Sequence, residues 1–169
     1  HVSLIVQIPG TGELKSKPTQ HSVKELQSVG IQPDLLVCRT DAPITDDVRR
    51  KIALFCNVEP ECVIQNLTAQ TLYEVPLLLE KEGLADVVCR KLALDAHAPE
   101  LDGWRQMVER IKNAHHTVQI ALVGKYTQLH DAYLSVVESL FHAGTANDAV
   151  VGIRWVDSEL VTPENVDSL

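Results

Sequence analysis

The stretch Gly12-Glu13-Leu14-Lys15-Ser16-Lys17-Pro18-Thr19-Gln20-His21-Ser22-Val23-Lys24-Glu25-Leu26 sets two lysines, two hydroxyls and an amide side chain just ahead of an amphipathic pattern. Upstream, residues 2–8 are β-rich and apolar, and Pro9-Gly10-Thr11-Gly12 ends them. Downstream, Val23, Leu26 and Val29 share one helical face, so the spacing predicts a helix over residues 19–29 with Gly30 at its C′ position. Strand, loop and helix in that order open a parallel α/β sheet, where ligand loops follow the C-terminal ends of strands.

The loop has its own chemistry. Lys15 and Lys17 are separated by one residue, so in an extended loop their side chains can converge on one polyanion. Thr19, Gln20 and the free N–H groups of the helix start could supply further donors. Cations ahead of a helix N-terminus suit phosphate, because orphan amides and the helix dipole both favour negative charge. Two solvated lysines on a surface turn fit the same residues.

Further along, residues 34–39 contain Leu35-Leu36-Val37-Cys38, an unbroken apolar run expected of a parallel strand covered on both faces. Thr45 is placed to cap the next helix, with Asp46 and Asp47 in its first turn and its end near Asn57. Residues 62–65 read as a short strand. A helical stretch over 70–82, interrupted by Pro76, and another over 85–92 follow. Near residue 96 the pattern changes: Ala96-His97-Ala98-Pro99-Glu100 lacks periodicity and reads as a connector. Trp104, Met107, Val108 and Ile111 then recur on one helical face. Residues 118–124 read as a strand, 133–141 as a helix and 149–156 as a further strand.

Composition limits the partners. A net charge of −8 argues against nonspecific binding to nucleic acid or an anionic membrane, since both need a basic face. No apolar run reaches the roughly 18 residues of a membrane span, and residues 1–8 lack leader-peptide architecture. Cys38, Cys56, Cys62 and Cys89 sit in apolar segments without CxxC spacing, as buried thiols of a reducing cytoplasm would.

The run from Gly12 to Val23 resembles the GE(L/V)K(T/S)KPTQHSV signature of the CTP synthase family. The likeness continues through Gly30-Ile31-Gln32-Pro33-Asp34-Leu35-Leu36-Val37-Cys38-Arg39 and Lys51-Ile52-Ala53-Leu54-Phe55-Cys56-Asn57-Val58. It resumes at Val123-Gly124-Lys125-Tyr126 and Asp131-Ala132-Tyr133, while residues 96–117 and 142–169 match more loosely. The resemblance implies a P-loop-type, dethiobiotin-synthetase-like synthetase (amidoligase) domain whose later half is residues 1–95. A linker with a helix would follow over 96–117, and the first βαβ elements of a class I glutaminase domain over 118–169.

In such a family the parent enzyme phosphorylates the UTP 4-oxygen with ATP and then admits ammonia from glutamine to give CTP. Carried over residue by residue, Lys15, Ser16, Lys17, Pro18, Thr19, Gln20 and Lys51 match the UTP and CTP triphosphate site, at a subunit interface of a homotetramer. Ser16 stands where threonine is common and keeps the hydroxyl. Leu67, Thr68 and Ala69 match a stretch beside the ATP adenine, acting through backbone contacts. The resemblance also implies magnesium, with ligands outside this chain, GTP as an allosteric activator, and a cytoplasmic location.

Two pieces of chemistry are missing from the sequence. No G-x-x-x-x-G-K-[ST] occurs, and none of the cysteines lies in a Gly-x-Cys-x-Gly elbow. The expectation is therefore the middle of an enzyme cut inside both domains, inactive alone. His115 and His116 read as polar surface rather than as a base. Lys125 and Tyr126 fit either a GTP-sensing, ammonia-passing domain junction or, preferred here, a lysine closing a strand beside a packed tyrosine. Asp131 reads as a helix N-cap rather than a catalytic acid. A non-catalytic module sensing pyrimidine nucleotide remains the alternative function. A related P-loop ligase with another substrate is disfavoured by the Lys17-to-Ser22 run.

Overall fold

The computed structural model describes residues 1–168, which form two compact units, one of residues 1–101 and one beginning at Asp102. In the first, β1 (Val2–Leu4), β4 (Leu36–Thr40) and β5 (Val63–Leu67) form a parallel sheet in the order β1-β4-β5. Pairing runs Val2↔Val37 through Leu4↔Arg39, and Leu36↔Val63 through Thr40↔Leu67. Helices α1 (Lys17–Ser28) and α2 (Asp46–Cys56) make the crossovers, and α3 (Val75–Lys81) and α4 (Leu84–Lys91) follow β5.

Side-chain alternation explains the apolar run of β4. Leu36 and Cys38 face one cluster with Val23 of α1, Ile52, Ala53 and Cys56 of α2, and Val63. Leu35 and Val37 face the other, with Ile64, Leu79, Val87 and Leu84. Helices thus cover both faces of the sheet, and the buried thiols Cys38, Cys56 and Cys62 are part of that packing. Cys89 is only half-buried.

The single strand expected over residues 2–8 is two strands. Ile5 is buried and its N–H still reaches Arg39 O, but β2 (Val6–Gln7) leaves the sheet to pair antiparallel with β3 (Leu14–Lys15). The turn between them closes with Ile8 N–H to Glu13 O, and Gly10 and Gly12 supply its positive φ angles of 91° and 70°. Helix α1 starts at Lys17, ahead of the expected Thr19, because Pro18 suits a first turn whose N–H groups have no partner in the helix. By the same logic Pro76 stands in the first turn of α3, after a 3₁₀ turn at Leu72–Glu74, and starts that helix instead of interrupting it. Thr45 caps α2 by accepting Val48 N–H, and Asn57 closes it in the left-handed region at φ 56°. Residues 94–101 have no helix or strand.

The second unit holds α5 (Asp102–Lys112), β6 (His116–Gly124), α6 (Leu134–Ala146) and β7 (Ala149–Asp157). Strands β6 and β7 pair in parallel from His116↔Ala149 to Gly124↔Asp157, and α6 packs on β7. Asp131 caps nothing: it lies in a 3₁₀ turn, His130–Tyr133, and Tyr133 occupies the N-cap position of α6. Tyr126 is 76% exposed with φ 58°, so it is not the packed tyrosine expected beside Lys125. His115 and His116 are exposed. No helix among the described residues is long and apolar enough to cross a membrane.

Candidate functional site

The C-terminal ends of β1, β4 and β5 lead into the β2–β3 hairpin, the 41–45 loop and the loop after Leu67. A cleft of about 490 Å³ opens between the first two, lined by Gly12, Glu13, Leu14, Ala42, Pro43, Thr45, Asp47, Val48 and Lys51. Lys51 projects from the middle of α2 and is exposed. It therefore stands in the same cleft as the end of the hairpin, although far from it in sequence. Asp47 shares the cleft, but Arg50 holds its carboxylate at 2.8 Å.

Lys15 and Lys17 do not line that cleft. Nor do they sit in an extended loop: Lys15 belongs to β3, Ser16 turns the backbone to φ −84° and ψ −13°, and Lys17 is already helical. Lys15 Nζ lies 2.6 Å from Glu13 Oε1, and both side chains are well exposed. Exposed ion pairs are weak, so a phosphate could displace the carboxylate. Lys17 and Lys51 make no ion pair among the described residues.

The neutral members of the loop are spoken for internally. Thr19 is fully buried, donates to Leu4 O at 3.2 Å and accepts from Ser3 Oγ at 3.3 Å. Gln20 Nε2 donates to Ser16 Oγ at 3.0 Å, both residues being buried. Thr19 ties α1 to β1 and Gln20 is bonded within the start of α1, so neither is a donor facing solvent, contrary to the expectation for Thr19 and Gln20. Because Ser16 bonds Gln20, its side chain leaves the first-turn N–H groups of α1 uncapped. That turn also lacks acidic residues, so its partial positive charge is not neutralised there.

Leu67 ends β5 opposite Thr40. Thr68 is tied to the neighbouring strand end: its N–H donates to Thr40 O and its hydroxyl to Asp41 Oδ1. Asp41 also borders a 390 Å³ depression with Gln7, Ile8, Pro9, Gly10 and Gly12. Sequence reasoning misses Asp41, although its place directly after β4 is a usable signal. Arg49, Gln65 and Glu82, which brace the cleft from behind, carry no such signal, since their proximity comes only from the fold. Among the described residues no group of three or more His, Cys, Asp or Glu is arranged to hold a metal ion.

Comparison with known proteins agrees with the sequence resemblance. The pattern of the family described as CTP synthase N-terminus matches residues 1–94. CTP synthase of Ruminiclostridium cellulolyticum is 57% identical over 168 residues, covering 99% of this chain and 32% of that protein. The Symbiobacterium thermophilum protein of the same name is 58% identical, with 99% and 32% covered, and the Methanocaldococcus jannaschii one 55% identical, with 100% and 31% covered. The chain spans about a third of the length of these relatives. On the match of residues 1–94, the chain belongs to the CTP synthase family.

Proposed function

We propose that this chain is the part of a CTP synthase that holds the triphosphate of UTP as substrate and of CTP as inhibitor. The observation that carries the reading is the presence of Lys51 in one cleft with Gly12, Glu13 and Leu14 of the signature run. A triphosphate brings several negative charges, and an ammonium reads phosphate as a point charge without sensing the base. Lys51 would take the phosphates in the cleft. Lys15, on exchanging Glu13, and Lys17, at the uncapped start of α1, would add charge beside it. Ser16, Thr19 and Gln20 would hold the backbone of that turn, with Pro18 fixing its first helical residues. Leu67, Thr68 and Ala69 would border ATP through backbone groups, at the end of β5.

The reaction itself, ATP-dependent amination of UTP with ammonia from glutamine, is proposed for the longer protein, as are GTP activation, the homotetramer and the cytoplasmic location. Three buried free thiols and a half-buried fourth in the first unit support a reducing compartment. Among the described residues no group of three or more His, Cys, Asp or Glu is arranged to hold a metal ion, and no step here runs through magnesium. We assign residues 1–95 to the later half of the synthetase domain and 118–169 to the start of the glutaminase domain, joined through 96–117. The family match ends at residue 94, which supports a boundary near residue 95 and no finer division.

The test is Lys51→Ala in the full-length protein, with UTP and CTP titrated separately. Both affinities should fall roughly ten- to more than a hundredfold, the loss of one charge-assisted contact. Unchanged affinity for both would remove Lys51 from the site.

A further inference from the structure

Glu82 follows the last turn of α3 and is 21% exposed at its side chain. Its Oε1 accepts from Gln65 Nε2 at 3.1 Å, and its Oε2 accepts from Gln65 N–H at 3.3 Å and Arg49 Nη2 at 3.1 Å. Arg49 also donates to Val63 O. At the far end of this network, Gln65 Oε1 accepts the backbone N–H of Ile44 at 2.6 Å.

Each link has one chemically allowed direction. An ionised carboxylate only accepts, so Gln65 must present its NH2 to Glu82 and its oxygen to Ile44. The flipped amide would set donor against donor at Ile44 and acceptor against acceptor at Glu82. Ile44 is buried in the core, and its neighbours Pro43 and Thr45 line the Lys51 cleft. Arg49 lies on α2, two residues before Lys51, and is anchored to the same carboxylate. One side chain thus holds both the loop and the helix that form one wall of the cleft.

We infer, on the reading of this cleft as the triphosphate site, that Glu82 is a positioning residue. It orients Gln65 so that the 41–45 loop and α2 present Lys51 in register. Glu82 touches no ligand and acts only through Gln65 and Arg49.

The experiment uses the full-length protein and steady-state kinetics with UTP varied. Glu82→Gln cannot accept all three bonds, and Gln65→Met cannot accept from Ile44. Each should raise the KM for UTP about tenfold, the scale of losing one buried bond, with kcat at saturating UTP unchanged. The double variant Gln65→Glu with Glu82→Gln restores every donor–acceptor pair. The carboxylate now at position 65 would accept from Ile44 N–H and from the NH2 of the amide now at position 82. The oxygen of that amide would still accept from Arg49 and from the backbone N–H of position 65. The KM of the double variant should return to within about twofold of the parent. A general loss of stability would lower kcat or active fraction without a selective KM effect, and that outcome overturns the role. So does a double variant no better than the singles. Lys51→Ala is run alongside. If it weakens UTP while Glu82→Gln does not, the positioning role alone falls; if Lys51→Ala has no effect, the cleft reading falls as well.

Discussion

The two units bury apolar surface in opposite styles. In residues 1–101 the sheet is sandwiched, and Leu36, Cys38, Ile52, Val63 and Ile64 are fully inaccessible. In the second unit a two-stranded parallel sheet carries α6, and Val118, Val123, Leu134, Val136, Phe141 and Val150 remain 42–58% exposed. In the first unit the candidate cleft rests on a sheet covered on both faces. There the strand ends that reach the candidate cleft are fixed from both faces. In the second the corresponding strand end presents an exposed Tyr126 and a surface pair, Lys125–Glu159 at 3.2 Å.

Truncating matched residues probes this contrast with the largest effect. Ile52→Ala should destabilise the first unit by about 2–5 kcal/mol through the cavity it leaves, whereas Val150→Ala should stay within about 0.5 kcal/mol. Hydrogen exchange of each unit reads the two separately. Both tryptophans of this sequence, Trp104 and Trp155, lie in the second unit, so their emission follows that unit. Equal losses would erase the distinction.

The second unit nonetheless has tight backbone contacts, and the one at Gly144 joins its helix to its sheet. A Cβ on Gly144 would stand 2.6 Å from Ala149 O and 2.7 Å from a Val151 methyl, where β7 meets α6. Gly144→Ala should therefore cost about 1–3 kcal/mol by overpacking, visible as an earlier tryptophan transition in urea. No change would mean that α6 is not seated on β7 as described.

Helix starts give a smaller contrast. Thr45→Ala removes the cap of α2 and should cost about 1 kcal/mol in a denaturant titration. Asp131→Ala should change little, since Asp131 caps no helix. The Cys38 thiol adds a pH signature to the first unit: burial pushes it from 9.0 up to about 11. The native state then keeps a proton that the unfolded chain gives up, so stability is intact below about pH 9 and falls as pH rises towards 11. A flat stability profile over that window would refute the burial of this thiol.

The sequence makes some of this plain and hides the rest for physical reasons. Leu35-to-Cys38 announces a strand covered on both faces because its alternate residues all need apolar neighbours. Thr45 and Asn57 mark the ends of α2, since caps are local. The break after Leu4 is invisible, because Val6 and Gln7 change partners through pairing with Leu14 and Lys15, which is a tertiary choice. The polar loop residues mislead in a related way. Thr19 and Gln20 look like ligand donors, but Leu4 O and Ser16 Oγ claim them once α1 docks. Lys51 is reached only through the family resemblance, and its cleft only through the fold.

Whether the first unit grips the triphosphate is tested most directly by amide hydrogen exchange on the full-length protein with and without UTP. Protection should appear in residues 12–20 and 41–51, while 116–126 and 149–157 exchange as before. Protection confined to the second unit, or absent from 12–20 and 41–51 at saturating UTP, would contradict it.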